Sequence, residues 1–586
     1  MIKIPDNAPF APGERENMEK LLSGLSPEQQ MWLSGHLAPS NTVVTPVASS
    51  RPLTILYGTE SGNCEELAAK SALMAKKRGF KAKTRNMAEV SVGDLAGIET
   101  LLVIVSTWGE GDPPETAVTF HKEFMAANFR LEKTKFSVCA LGDTSYEDFC
   151  EIGKQVDRKL DELGATRLVD RQDCDVDFDD DHGAWLERVF VSLGEASSNG
   201  AAAPAPVAQP AVEYGKRNPF PSEVLEKVLL NGKGTKKETW HLEMNLEGSG
   251  LVYEAGDSLG LIAYNAPDIV ESVLVATGFD RATKVTLKSG ATVSLGEALK
   301  SSLDITALSR AVAKKYAALN GSEKLAEFLG DDKKEEFRDY VEGRQIVDLF
   351  EDFPVGKATA EEVVKILRPL PPRLYSIASS PNANPGEVHL TIAAVRYDSQ
   401  GKSRKGVAST CVADLVSEGD AMSVFIQPNK RFRLPVSAET PVIMVGPGTG
   451  IAPFRAFIEE RGEQESAGKS WLFFGDQHYM YDFLYQLELQ EHMKSGALTR
   501  LDVAFSRDQP EKIYVQDRMR EKAADLYMWL ESGAYFYVCG DANRMAGDVH
   551  EALLDIVSEH GGKSREDAEA FVEQLKKDGR YQRDVY

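Results

Sequence analysis

The chain has 586 residues, 42% of them apolar and 27% charged, and a formal net charge of −23. This is the composition of a soluble globular protein of roughly three to five domains. The acidity argues against a nucleic-acid reader and against docking on anionic membrane, both of which need a basic face. The six cysteines, at 64, 139, 150, 174, 411 and 539, form no C-x-x-C pair. A zinc ribbon or iron–sulfur centre is therefore not expected, and the low count suits a reducing compartment. Met1 to Phe10 carries no basic flank ahead of an apolar core, and no apolar run nears the ~18 residues that cross a bilayer, so a cytoplasmic protein is expected.

Residues 1–50 read as a leader. Ser26, Pro27 and Gln29 form a helix start with a capping box, and Met31, Trp32 and Leu33 supply an apolar side. So short a helix needs a surface to pack on, which is either its own chain or an oligomer contact. Residues 51–196 then alternate short apolar strands, Leu53–Tyr57, Leu101–Val105 and Phe136–Leu141, with helical stretches. Residues 197–217 form a linker whose Ser197–Gln209 portion is Ala/Pro-rich, too poor in apolar surface to order itself and roughly 20–40 Å in reach. Residues 218–438 read as strands, a charged helical insertion (about 265–365) and strands again. Residues 439–586 return to strand–helix alternation, with strands at Val442–Val445, Trp471–Phe474 and Tyr535–Cys539. Two doubly wound α/β units thus flank a β-rich domain.

Ligands of a parallel α/β sheet bind beyond the carboxyl ends of its strands. In the first domain those ends run into Gly58-Thr59-Glu60-Ser61-Gly62-Asn63-Cys64, Ser106-Thr107-Trp108-Gly109 and Gly142-Asp143-Thr144-Ser145-Tyr146. Hydroxyls and small residues opening a helix make a phosphate cradle, and no Gly-Lys-Ser/Thr follows to suggest a P-loop. Trp108 or Tyr146 alone would read as a packing residue. Beside a phosphate cradle the pair reads as two stacking faces for a flavin.

The last domain carries Gly446-Pro447-Gly448-Thr449-Gly450 directly after a strand, where backbone can approach a pyrophosphate. Downstream, Ser506, Arg507, Lys512, Tyr514 and Gln516 assemble the donors that a 2′-phosphate needs, whereas NAD calls for an acid on the ribose. The ordering favours NADPH over a solvated charge cluster.

These three loops resemble the flavodoxin-like FMN domain of the diflavin reductases. The resemblance runs over nearly the whole chain and points within that family to the flavoprotein (alpha) subunits of assimilatory NADPH–sulfite reductase. It is carried by the ending Tyr581-Gln582-Arg583-Asp584-Val585-Tyr586, by Phe432-Arg433-Leu434-Pro435 and by the leader from Leu25 to Gly35. The implied fold is multidomain α/β: a flavodoxin-like FMN domain, an FAD-binding β-barrel with a helical connecting insertion, and a ferredoxin-reductase-like NADP-binding domain.

The resemblance implies that Thr59 to Cys64 hold the FMN phosphate. Ser106 to Gly109, with Leu141, Gly142, Asp143, Tyr146, Phe149 and Cys150, would wrap the ring. FAD would fall to Arg373, Leu374, Tyr375 and Ser376, to Thr391, Ala393 and Tyr397, and to Gly406, Val407, Ala408 and Ser409, with terminal Tyr586 covering its ring. NADPH would take Gly448 and Thr449, the five downstream donors and Asp548. Ser376, Cys539, Asp584 and Tyr586 would serve hydride transfer. The implied partner is a sirohaem/[4Fe–4S] hemoprotein (beta) subunit that reduces sulfite to sulfide, with homo-oligomer assembly through the leader.

Two flavins suit this task, because NADPH gives two electrons as hydride while haem and cluster acceptors take one at a time. The alternatives are a stand-alone diflavin reductase for a cytochrome and a non-catalytic flavin module. The acidic run Asp170, Asp173, Asp175, Asp177, Asp179, Asp180 and Asp181 is either a solvated face or a steering surface for a basic acceptor.

Overall fold

The structure is a computed structural model that describes residues 51–194, 214–464 and 467–586, apart from Ser61, Glu110, Ser145 and Glu147. The leader 1–50 and the Ser197–Gln209 tether lie outside the described residues.

The first unit contains β1 (Arg51–Gly58), β2 (Phe80–Asn86), β3 (Thr100–Ser106), β4 (Lys135–Leu141), β5 (Thr166–Arg167) and β6 (Gln172–Cys174). They form a parallel sheet in the order β2-β1-β3-β4-β5, with β6 also on β4. Leu101 to Val105 are all buried, the continuous apolar run expected of a strand covered on both faces. One face packs Leu56, Val103 and Val105 on Phe120 and Phe124, and the other packs Ile55, Leu102 and Ile104 on Trp185 and Phe190.

The middle unit uses β7 (Phe220–Leu229), β8 (Thr239–Asn245) and β9 (Ser258–Ile262). A helical insertion with the hairpin β10 (Lys284–Thr286) and β11 (Thr292–Ser294) follows. The unit resumes with β12 (Arg373–Ser376), β13 (Glu387–Ala393), the hairpin β14 (Arg396–Ser399) and β15 (Lys402–Lys405), and β16 (Ala421–Gln427). The order β12-β9-β16-β7-β8-β13 is antiparallel throughout. The expected barrel is thus an open six-stranded path whose ends meet at a single bridge, Ile377–Leu390, with Ala378 N donating to His389 O at 2.8 Å. Asp257 O takes the Ile377 amide, so the chain leaves β12 before a continuous ladder can form. The insertion runs from helix Pro267–Thr277 to helix Ala360–Ile366 around its own core of Tyr316, Leu349 and Phe350.

The last unit holds β17 (Val442–Val445), β18 (Ser470–Asp476), β19 (Arg500–Phe505), β20 (Tyr535–Gly540) and β21 (Tyr581–Val585), parallel in the order β19-β18-β17-β20-β21. That order is the doubly wound arrangement, with its crevice between the β17 and β20 ends. The second and third units lock together through buried polar contacts. Asn231 Nδ2 donates to Asp482 at 2.9 Å, Arg455 to Ala378 O at 2.6 Å, and Ser380 N to Glu459 at 2.8 Å.

Candidate active site

Beyond β1 the chain turns at Gly62, whose φ of 88° is left-handed, and enters helix Asn63–Lys77 with Glu65 and Glu66 in its first turn. The Thr59 hydroxyl accepts from Gly62 N at 2.9 Å, and Thr59 N and O both engage Thr116 Oγ1 at 2.8 Å. Glu60 accepts the Glu115 amide at 2.6 Å, and burial raises its carboxyl above the usual range. Beyond β3, Thr107 N donates to Leu141 O at 3.0 Å and its hydroxyl accepts from Ile152 N at 3.1 Å. Trp108 and Asp112 close a small turn containing Gly109, at 2.8 Å each way. Beyond β4, Asp175 receives Thr144 N at 3.0 Å and its hydroxyl at 2.6 Å, and Phe149 and Cys150 come down against Gly142. A Cβ at Gly142 would lie 2.7 Å from Cys150 N, so that approach requires glycine.

The three expected loops therefore share one rim, with Ser61 outside the described residues. Trp108 is 43% exposed and Tyr146 49%, unusual for large rings and suited to the faces of a flat ligand. The Ser106 hydroxyl is buried beside the Cys64 thiol and has no full hydrogen bond to protein, a polar atom that a bound flavin would satisfy. Burial pushes the Cys64 thiol up to about 12, so this cysteine is a packing group under the cradle.

The second constellation is assembled from two domains. Ser376, at the end of β12, donates to Asp584 Oδ2 at 2.6 Å, and the Cys539 thiol at the end of β20 lies 3.8 Å from the same oxygen. Register pairing of β20 with β21 sets Cys539 opposite Asp584. Burial raises the Asp584 carboxyl above its usual range, opposed by the Ser376 and Cys539 hydrogen bonds, and burial with Asp584 as neighbour raises the Cys539 thiol. Gly450 packs on this strand end so closely that a Cβ would lie 2.2 Å from Cys539 O. The Tyr586 hydroxyl meets Thr449 Oγ1 at 2.7 Å, while the ring remains half-exposed over the same mouth.

Arg373 carries no ion pair among the described residues and is exposed beside Leu374 and Tyr375. Gly406 is the N-cap of helix Val407–Thr410, and the Ser409 hydroxyl instead caps Val395 N at 3.1 Å. The Thr391 hydroxyl meets the Tyr485 hydroxyl of the nucleotide domain at 2.7 Å. Ala393 ends the same strand, and the Tyr397 ring is exposed on the following hairpin. Beyond β19, Arg507, Lys512 and Tyr514 are exposed, Ser506 N returns to Asp476 O at 2.9 Å, and Gln516 reaches Asp548 at 3.3 Å. All the expected nucleotide donors thus rim one end of the sheet.

Other residues of this region carry no local sequence signal. Arg368 of the insertion reaches Asp143 of the third flavin loop at 2.6 Å and Asp304 at 2.8 Å. Arg431 donates to Thr59 O at 3.1 Å, and Lys576 and Arg583 each lie 3.7 Å from Glu115. The first and third flavin loops, and Glu115 beside them, are therefore held by cations from the other half. These partners are far apart in sequence, 225 residues for Asp143 and Arg368 and 372 for Thr59 and Arg431, and only the fold brings them together.

A His241–Glu243–His389 set has metal-ligand spacing, but its ring nitrogens already engage Tyr485, Glu243 and Glu387, and the Arg455 guanidinium stands 3.3 Å from His389 Nδ1. Much of the acidic run is also engaged: Asp173 with Arg171, Asp177 with Lys216, Asp179 with Lys70 and Asp180 with Arg217.

Comparison with known proteins matches the flavodoxin family model over residues 55–187, the FAD binding domain over 213–411 and the oxidoreductase NAD-binding domain over 444–551. A sulfite reductase [NADPH] flavoprotein alpha-component of Bacillus subtilis is 46% identical, covering 99% of each chain. The chain belongs to the sulfite reductase [NADPH] flavoprotein alpha-component family. Members from Serratia proteamaculans and Escherichia coli O6:H1 are each 41% identical, over 99% and 100% of this chain and 98% and 100% of their own. As an alpha-component it is an NADPH oxidoreductase with FMN, FAD and NADPH as its cofactors. No helix among the described residues is long and apolar enough to cross a membrane.

Proposed function

We propose that this chain passes electrons from NADPH through FAD and FMN to a sirohaem/[4Fe–4S] hemoprotein subunit that reduces sulfite to sulfide. The observation that carries the reading is the Ser376–Asp584–Cys539 cluster, built from two domains beside a rim of three flavin loops. The FAD and FMN held there would supply, respectively, acceptance of hydride from NADPH and one-electron transfer onward. The flavin-ring role falls to Tyr375 and Ser376, and Arg373 with the Gly406–Ser409 helix start would hold the pyrophosphate. Asp584 would orient the Ser376 hydroxyl, which donates to its buried carboxylate, and burial raises that carboxyl above its usual range. Tyr586, its backbone paired to Gly540 and Ala542 and its hydroxyl to Thr449, would cover the ring with its side chain and swing that side chain off it to admit nicotinamide. Thr59 to Cys64 would cradle the FMN phosphate between the Trp108 and Tyr146 faces.

The tether of residues 197–217 would let the FMN domain leave Arg368 and Arg431 to meet its acceptor. The leader 1–50 would assemble copies of the chain in the cytoplasm. Mixing the flavin-loaded protein with a sirohaem sulfite reductase subunit and NADPH tests the reading by sulfide produced, with cytochrome c reduction in parallel. Sulfide formed at a rate set by this protein is the expected result. Cytochrome c reduction without sulfide would move the acceptor role to a cytochrome or other one-electron protein.

A further inference from the structure

Asp476 ends β18, the second strand of the doubly wound sheet, which is where a carboxylate reads the ribose hydroxyls in NAD-binding sheets. An unopposed carboxylate there would repel a 2′-phosphate. In this chain it is not unopposed. Lys237 Nζ reaches Asp476 Oδ1 at 2.5 Å, and the Gln477 amide donates to the same oxygen at 2.6 Å. The Asp476 side chain is 1% exposed, and its second oxygen is buried without a hydrogen-bond partner among the described residues. Both groups face the glycine turn: a Cβ on Gly448 would lie 3.9 Å from Lys237 Nζ and 4.0 Å from Asp476 Oδ2. The Asp476 carbonyl holds Ser506 N, so the pair lies between the pyrophosphate turn and the expected 2′-phosphate donors.

Lys237 belongs to another domain. It sits on the β7–β8 loop, which Asn231 and Gly232 fasten to Asp482 and Tyr481 O at 2.9 and 2.7 Å. Its ammonium is therefore presented on a fixed platform rather than a free loop. We propose that the Lys237–Asp476 pair makes the site select a phosphorylated ribose, Lys237 cancelling the carboxylate that would otherwise favour the unphosphorylated nucleotide. Burial raises the Asp476 carboxyl, and Lys237 opposes that shift, as a paired ion would. The inference rests on the placement of NADPH across Gly446–Gly450 and Ser506–Gln516.

The test is isothermal titration of 2′,5′-ADP and of 5′-AMP into the flavin-loaded full chain, with NADPH and NADH kinetics alongside. Lys237→Met should weaken 2′,5′-ADP at least tenfold while changing 5′-AMP less than threefold. The NADPH-over-NADH ratio of kcat/KM should fall by a similar factor, through KM rather than kcat. Lys237→Arg should stay near the parent, and the double variant Lys237→Met with Asp476→Asn should recover 2′,5′-ADP binding to within threefold. Equal losses for both nucleotides, no loss for either, or an unrecovered double variant would overturn the proposal. Arg507→Ala serves as the reference: if it leaves 2′,5′-ADP binding intact, the nucleotide placement fails and the proposal with it. If Arg507→Ala weakens binding while Lys237→Met does not, the placement stands and the selector role alone is lost.

Discussion

The two proposed redox rims of this molecule are built in opposite ways. At the flavodoxin rim the aromatic faces stand open, with Trp108 and Tyr146 more than 40% exposed. At the Ser376–Asp584–Cys539 cluster the polar groups are sunk, and burial shifts both titratable members. Hydride transfer needs fixed atoms in a water-poor site, where hydrogen bonds are stronger and geometry is held. Passing single electrons to a separate protein needs an approachable edge and little proton chemistry. One chain meets both demands by placing them on different sheets and joining them through ion pairs between domains.

The largest expected effect breaks the buried side of that contrast. Asp584→Asn should slow FAD reduction by NADPH about 100-fold in anaerobic stopped flow, within the range for losing a positioned proton-handling group. FMN content should not change. Arg368→Ala attacks the joint instead, leaving Asp143 and Asp304 without the cation between them. Loss of about 2 kcal/mol of docking is expected, read as slower FAD-to-FMN transfer with unaltered FAD reduction.

Acid should loosen the molecule by a third route. Burial depresses His241 to about 3 and His389 to about 4 at the barrel–nucleotide joint, and His182 to about 4 in the flavodoxin unit. The unfolded chain protonates first, near 6.5, so stability present above that pH is lost as pH falls toward the folded values. From pH 6.5 to 5.5 the loss is about 1 kcal/mol per histidine. Thermal melting should therefore drop across that step, and less so in His182→Gln. The smallest effect sharpens the hydride side: Tyr586→Phe keeps the ring and removes its bond to Thr449, worth about 1 kcal/mol. The ring then moves aside more easily, and the KM for NADPH should fall two- to fivefold.

Much of the site was legible because its chemistry is local. The strand ends at Gly58, Ser106 and Leu141 run into turns whose residues are contiguous, so Thr59 to Cys64 could be read without a fold. The glycine turn after Val445 was readable for the same reason. Thr391 shows what was not legible: no local pattern says which domain meets its strand, and the fold brings its hydroxyl to Tyr485. The barrel expectation met the same limit: strand count was legible, but the single Ile377–Leu390 bridge is a matter of where two distant ends arrive.

The sequence by itself determined the domain types, the turns at the strand ends and the strands that feed them, because apolar runs, glycines and helix starts act within a few residues of one another. Only the tertiary structure decided what each distant cation meets: Arg368 the Asp143 carboxylate, Arg431 the Thr59 carbonyl and Lys237 the Asp476 carboxylate. An exposed cation has no preferred partner in an unfolded chain. Packing of the three units selects one partner, because each half-buried charge is stable only where an opposite charge or a carbonyl meets it.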